Sequence, residues 1–333
     1  MDLQQRALRI GAAVILCAVL CRLLGEGYLQ NAVSAAQVPE GLASFLLYLE
    51  TGRVVLPQEE TVPAETSPVE TTVPAETQPE ISVPTFTARD AALLEMTNYS
   101  GCQPDLEALL TTPLQWDLTG NAPTVLLLHT HTTESYKKSP GENYEESGDY
   151  RTLDEKYNML SVGARLAQTL EEGGLSVLHV TVTHDYPSYN GSYDTARQTI
   201  AQYLAKYPSI RLVLDLHRDA ADDGFGGQMS TAADVNGQKS AQLMIVVGTD
   251  SAGLTHPNWQ ENLALAAKLQ VTLEKMYPGL CRPLQLRSQR FNQDQSAGAL
   301  LIEVGAAGNT HPEALTAAEA LAQGILALAN GTA

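Results

Sequence analysis

Basic side chains are scarce in this sequence. The 333 residues include 20 Lys and Arg against 38 Asp and Glu, a formal net charge of −18. Such a chain is a poor match for nucleic acid or an anionic membrane surface as its main partner, and a polyanionic substrate gains nothing from bulk attraction. Cysteine is scarce too. Cys17 and Cys21 lie in an N-terminal apolar run, Cys102 and Cys281 stand far apart, and no CxxC or zinc-finger spacing exists. A Cys102–Cys281 disulfide stays open, because sequence alone says nothing about pairing geometry. Aromatic residues make up 6% and apolar residues 44%. That suffices for one sizeable core with a tail besides.

The chain divides by composition. Ile10 to Cys21 is uninterrupted apolar sequence flanked by Arg6, Arg9 and Arg22. Ala7 to Leu24 gives 18 residues, long enough to span a bilayer if the arginines snorkel. Arg6 and Arg9 ahead of it favour an N-terminus inside the cell and the bulk of the chain outside. The rival reading is a secretory signal, with Ala32-Val33-Ser34 or Ser34-Ala35-Ala36 as the cleavage site. The expected organisation is a transmembrane anchor over 1–28, a juxtamembrane segment over 29–56 and a linker over 57–88. Six glutamates without basic partners and two copies of VPAET fill Pro57 to Glu80. Such a stretch buries too little apolar surface to offset its chain entropy. Its prolines keep it extended, at ~3.1 Å per residue, as a tether.

Residues 89–333 read as an α/β domain. Six candidate strands cover Thr124 to His129, Ser176 to Val180, Arg211 to His217, Gln242 to Gly248, Pro283 to Leu286 and Ala299 to Val304. Amphipathic stretches at Lys156 to Glu172, Ser192 to Tyr207, Asn258 to Tyr277 and Glu313 to Asn330 read as helices. Alternation of this kind predicts a mostly parallel sheet of about six strands, flanked by helices on both faces. A polar loop, Tyr136 to Thr152, reads either as a lid or as a solvated insertion.

Chemistry-bearing residues collect at strand ends. Val125 to Leu128 breaks off into His129 and His131, with Glu134 three residues on. His, His and Glu so close together supply up to three ligands for a borderline cation such as zinc. Asp215 and His217 alternate with Leu214 and Leu216, so they share a strand face. Glu303 ends another apolar strand, where a carboxylate is costly unless it has a role or a partner such as Arg290. Parallel strands bring such ends to one edge, which predicts a metal-hydrolase centre.

Five motifs in order carry a family resemblance: HTHTTESY (129–136), HDYPSYNGSY (184–193), VLDLHRDA (213–220), HPNWQENLALAAKLQ (256–270) and RFNQDQSAGALLIEVGAAGNT (290–310). Together with FLLYLETGRVV (45–55) and the acidic spacer, they resemble the stage II sporulation protein P family, whose catalytic domain is similar in plan to the zinc-dependent N-acetylmuramoyl-L-alanine amidases. The resemblance implies a single-pass cell-membrane protein with its catalytic domain on the extracytoplasmic side. It implies zinc as cofactor and peptidoglycan as substrate. The bond cut is the amide between muramic acid and L-alanine, with stem-peptide cross-links as a further target. Stage II sporulation proteins D and M are the implied partners, during engulfment. Carried over, His217 matches the second histidine ligand and Glu303 the catalytic glutamate. The first histidine is His129 or His131. The wider amidases place their ligand glutamate at the start of the following helix, where this chain offers Glu155 or Asn158; Glu134 is preferred because the motif itself brackets it. In this reading Glu303 moves the proton, Asp215 orients His217, and Arg290 and Asn292 hold substrate carbonyls or the oxyanion. The competing expectations are a non-catalytic wall-binding scaffold on the same fold and a zinc carboxypeptidase or deacetylase.

Overall fold

The computed structural model describes residues 86–331 apart from 88, 115, 116, 223, 225 and 226. The anchor and juxtamembrane segment and almost all of the linker therefore lie outside the described residues. Among the described residues no helix is long and apolar enough to cross a membrane.

In chain order the regular elements are β1 (Met96–Asn98), α1 (Leu106–Thr111), β2 (Val125–Leu128), α2 (Met159–Glu172), β3 (Val177–His179), α3 (Ser192–Lys206) and β4 (Leu212–Asp219). Then come β5 (Ala233–Val235), β6 (Gln238–Ser240), β7 (Leu243–Gly248), α4 (Trp259–Met276), β8 (Leu284–Arg287), β9 (Ala299–Ala306) and α5 (His311–Ala329). All six expected strands form, and β1 adds a seventh at one edge. The sheet order is β1-β8-β7-β9-β4-β2-β3, with β5 and β6 as a separate hairpin. A three-residue edge strand, MTN, carries too short a pattern to be read from sequence.

Local chemistry explains the boundaries. The four residues of β2, VLLL, are all buried, as a strand with covered faces must be. Asn158 stops the preceding loop and caps α2, its side chain accepting from the Leu160 N–H at 3.0 Å. Thr310 and Glu313 form a reciprocal capping box at the start of α5, with proline in the first turn.

The pairing is parallel throughout except where β7 meets β9. The sheet is thus two parallel halves running in opposite senses. β3, β2, β4 and β9 send their C-terminal ends to one rim. β7, β8 and β1 send theirs to the other, and that division decides which residues meet.

Leu212, Leu214, Leu216, Leu300, Ile302 and Val304 face the main core, which α2, α4 and α5 complete. On the opposite face α3 covers only one half, packing Ala196 and Ile200 on Leu126, Leu128 and Val213. Met244, Val246 and Leu301 on the other half are covered by Phe291. The expectation of helices on both faces is therefore met unevenly.

The loop from Tyr136 to Thr152 is tied down at both ends. The buried Tyr136 donates its hydroxyl to the Val304 carbonyl at 2.8 Å, and Tyr144 donates to the Tyr136 carbonyl at 3.0 Å. Thr152 N–H returns to the Thr133 carbonyl at 2.8 Å. Cys102 and Cys281 are free thiols.

Candidate active site

Where β2 ends, the chain turns sharply and two aspartates hold the turn. Thr130 donates its N–H to Asp215 Oδ1 at 2.8 Å and its hydroxyl to Oδ2 at 2.6 Å. Thr133 does the same to Asp185, with its N–H 3.1 Å from Oδ1 and its hydroxyl 2.8 Å from Oδ2. Charge-assisted bonds inside a low-dielectric interior are strong, so the turn is rigidly set. Asp215 can reach Thr130 because it pairs in register with Leu128 across β2 and β4.

That turn sends the two histidines to different places. His129 is fully buried, with Nδ1 3.2 Å from the Leu216 carbonyl and Nε2 2.9 Å from His179 Nε2. A carbonyl only accepts, so His129 carries its proton on Nδ1 and its Nε2 accepts from the His179 N–H. Gly163 of α2 lies against this pair, so close that a Cβ there would fall 2.5 Å from His129 Nε2. Burial, then the neighbouring His179, pushes His129 down to about 3. Both of its nitrogens are committed to the scaffold.

His131 faces the other way. Its ring lies flat on Tyr189, with centroids 4.6 Å apart and planes at 10°, and stands edge-on to His217 at 5.2 Å. Nε2 is 3.2 Å from the Tyr189 hydroxyl and Nδ1 3.4 Å from Ser192 Oγ. Burial, then His217 and Arg151, holds it neutral, at about 3.

His217 and Glu303 are register partners on β4 and β9, with an irregularity in the pairing just beyond them. Bulges of this kind commonly re-aim side chains beside active sites. Glu134 reaches in from the turn, its Oε2 3.7 Å from His217 Nδ1. The same oxygen accepts from the Arg218 N–H at 3.2 Å, while Oε1 lies 3.3 Å from Arg151 and 3.6 Å from Arg218. Arg151 also pairs with Asp185 at 2.6 Å and lies over the Tyr189 ring at 4.8 Å.

Electrostatics single out this cluster. Burial lowers His217, but Asp215, Glu134 and Glu303 outweigh it and raise the group to about 9. Burial raises Glu303 to about 8; Glu134 and Asp219 add to this, while His217 and Arg218 oppose it. His217 Nε2 is 3.1 Å from Asp215 Oδ1 without an aligned hydrogen bond, and Glu303 Oε2 is buried with no partner. Buried polar groups left unsatisfied call for an explanation such as a catalytic role or a bound ion. Among the described residues no three His, Cys, Asp or Glu side chains already form a metal-holding group. The donor chemistry does fit a cation: two imidazoles and a carboxylate suit zinc, and the carboxylates around His217 already stabilise a positive charge.

Other expected residues lie elsewhere. Glu155 is exposed, and Asn158 is occupied as the helix cap. Arg290 and Asn292 follow β8, which runs opposite to β4 and β9, and their segment returns to the first turn of α3. Arg290 pairs with Asp294 at 3.4 Å, and Asn292 donates its amide to the Tyr193 carbonyl at 2.7 Å. Asp185, Arg151, Tyr189 and Tyr193 are the residues that sequence reasoning missed. They sit in turns or at a helix start, where no periodicity marks them; the tyrosines around Gly191 were the available signal.

An α/β domain with histidines and carboxylates meeting at a strand rim defines a class whose chemistry is built from side chains on separate strands. Within that class, this chain belongs to the stage II sporulation protein P family, whose description matches residues 52–326. It is 30% identical over 216 residues to stage II sporulation protein P of Bacillus subtilis (strain 168), a match covering 61% of this chain and 50% of that relative. The chain spans about half the length of the curated relative it matches. Two solved structures resemble it weakly. An N-acetylmuramoyl-L-alanine amidase from Clostridium difficile 630 has a TM-score of 0.37 and 18% identity, over 62% of this chain and 97% of that one. The catalytic domain of the CD27L endolysin targeting Clostridia difficile has a TM-score of 0.38 and 15% identity, over 62% and 96%.

Proposed function

We propose that this protein is a zinc-dependent peptidoglycan hydrolase that cleaves the amide between N-acetylmuramic acid and L-alanine. His131, Glu134 and His217 are the proposed ligands and Glu303 the general base. The observation that carries this reading is the meeting of these four groups at one rim, with His217 Nε2 and Glu303 Oε2 left unsatisfied. His131 is preferred to His129 because its ring lies against His217, whereas His129 is held by the Leu216 carbonyl and His179.

A bound zinc ion supplies a Lewis acid and lowers the pKa of a coordinated water toward ~7. The chain's own groups do the rest. Glu303 must be ionised to act as base, and at about 8 it is protonated at neutral pH until a cation nearby pulls it down. It then takes a proton from the attacking water as the C–O bond forms. As the C–N bond breaks it delivers that proton to the departing L-alanine nitrogen. Asp215 holds both Thr130 and His217, so it fixes the turn and the imbalance of charge together.

The remainder of the proposal concerns place. Residues 1–28 anchor the protein in the cell membrane, the linker lets the domain reach the wall, and stage II sporulation proteins D and M act beside it. Anchoring raises local concentration where an acidic domain gains nothing from an acidic polymer.

The test is a digestion of purified peptidoglycan by the full chain in detergent, analysed by mass spectrometry. Stem peptides beginning with free L-alanine are expected, abolished by chelator and restored by zinc. Glu303→Gln is expected to lose about 10²–10⁴-fold in rate. Shortened stems would instead mark a carboxypeptidase, and no product at all a scaffold.

A further inference from the structure

Tyr193 enters the centre at the first turn of α3, and its ring lies against both imidazoles. It is edge-on to His131 at 5.6 Å and stacked on His217 at 6.4 Å with planes at 18°. Its position is set from several sides. Gly191, at φ 87°, turns the chain into the helix, a conformation that costs glycine little. The Asn292 amide donates to the Tyr193 carbonyl, and the Phe291 ring lies 6.2 Å from its own. Two separate segments of chain therefore hold one side chain against His131 and His217.

Packing alone does not account for a tyrosine here. The hydroxyl makes no hydrogen bond among the described residues, while its neighbours Tyr189 and Ser192 both use theirs on His131. A phenol is neutral at physiological pH, so the hydroxyl keeps its proton. A neutral donor with no protein acceptor, held against both imidazoles, is free to meet a substrate oxygen.

We propose that Tyr193 is a catalytic residue, whose phenolic O–H donates a hydrogen bond to the carbonyl oxygen of the scissile amide as that oxygen takes on negative charge. No proton is transferred: the bond strengthens at the tetrahedral stage and relaxes when the carbonyl re-forms. Such a donor acts on the transition state more than on the bound ground state, because the charge exists only there. The inference rests on the amide-hydrolase reading above.

Tyr193→Phe keeps the ring and removes only the oxygen, so kcat and KM of full-length wild type and Tyr193→Phe on a soluble muramyl peptide separate the roles. Zinc content and thermal midpoint are measured on the same samples. The expected result is a fall of about 10²–10³-fold in kcat, with KM, zinc content and midpoint close to wild type. A kcat within twofold of wild type overturns the proposal. So does a loss of activity that merely tracks lost zinc, since that marks a role in holding the histidines. Tyr193→Leu, which removes ring and oxygen together, should fall at least as far; a Leu variant more active than the Phe variant also overturns it. A wild type that releases no L-alanine-terminated product removes the amide-hydrolase reading and this inference together. An active wild type matched by Tyr193→Phe removes this inference alone.

Discussion

Asp215 serves two partners with one carboxylate. It accepts two hydrogen bonds from Thr130 and lies beside His217, and it is almost fully buried. Although its burial raises its pKa, His217 and Thr130 outweigh that and hold it below its ordinary value. The substitution Asp215→Asn keeps the shape and removes the charge. In zinc-free protein the His217 imidazole should then titrate at least about one unit below its value near 9. Proton NMR of the histidine ring signals across pH measures this. An unmoved His217 would mean that Glu134 and Glu303, not Asp215, hold its proton.

At the scale of the element, α2 and β2 meet through a glycine. Gly163 gives His129 and His179 their space, and a Cβ there would fall 2.5 Å and 2.6 Å from their Nε2 atoms. Gly163→Ala should gain slightly in helix propensity but lose more through overpacking, a net cost of about 1–3 kcal/mol. Urea denaturation of the variant checks it, and a stabilised protein would show that the pair relaxes freely. The strain should pass along β2 to the turn at Thr130, so activity should fall with stability rather than independently of it. The turn that follows β2 explains the division of labour between the histidines: two residues of offset in an extended chain would have kept both on one face.

Over the whole molecule the buried histidines set the response to pH. His129, His131 and His179 sit at about 3, 3 and 4 in the folded chain against an ordinary 6.5. Their contribution to stability is complete above 6.5 and is lost as pH falls toward those values, because the unfolded chain takes up the protons first. Each adds a slope of up to about 1.4 kcal/mol per pH unit. His217 and Glu303 act in the opposite sense. Raised to about 9 and about 8, they contribute fully below 6.5 and 4.5 and lose that contribution as pH rises through the folded values. Below 6.5 the three histidines outweigh Glu303; above it His217 and Glu303 act together, opposed only beyond about 8 by Lys268, which burial lowers to about 8. Zinc-free protein should therefore be most stable near pH ~6.5. Urea midpoints from pH 4 to 9 in chelator test this, and a midpoint climbing steadily to pH 9 would contradict it.

The amino-acid sequence by itself determined six of the seven sheet strands and the four long helices, since VLLL at 125–128 and the Leu/Asp and Leu/His alternation at 214–217 are local patterns. It also marked His129, His131, Glu134, His217 and Glu303 as groups without an apolar excuse for their position. Only the tertiary structure sets His129 and His131 apart, holding His129 on a carbonyl 87 residues away and on His179 and laying His131 against His217. The reversal between β7 and β9 is likewise absent from any local window. Tyr193 and Arg151 gained their places from packing between segments distant in the chain. Periodicity reports how a segment meets water, whereas a site depends on which segments meet each other.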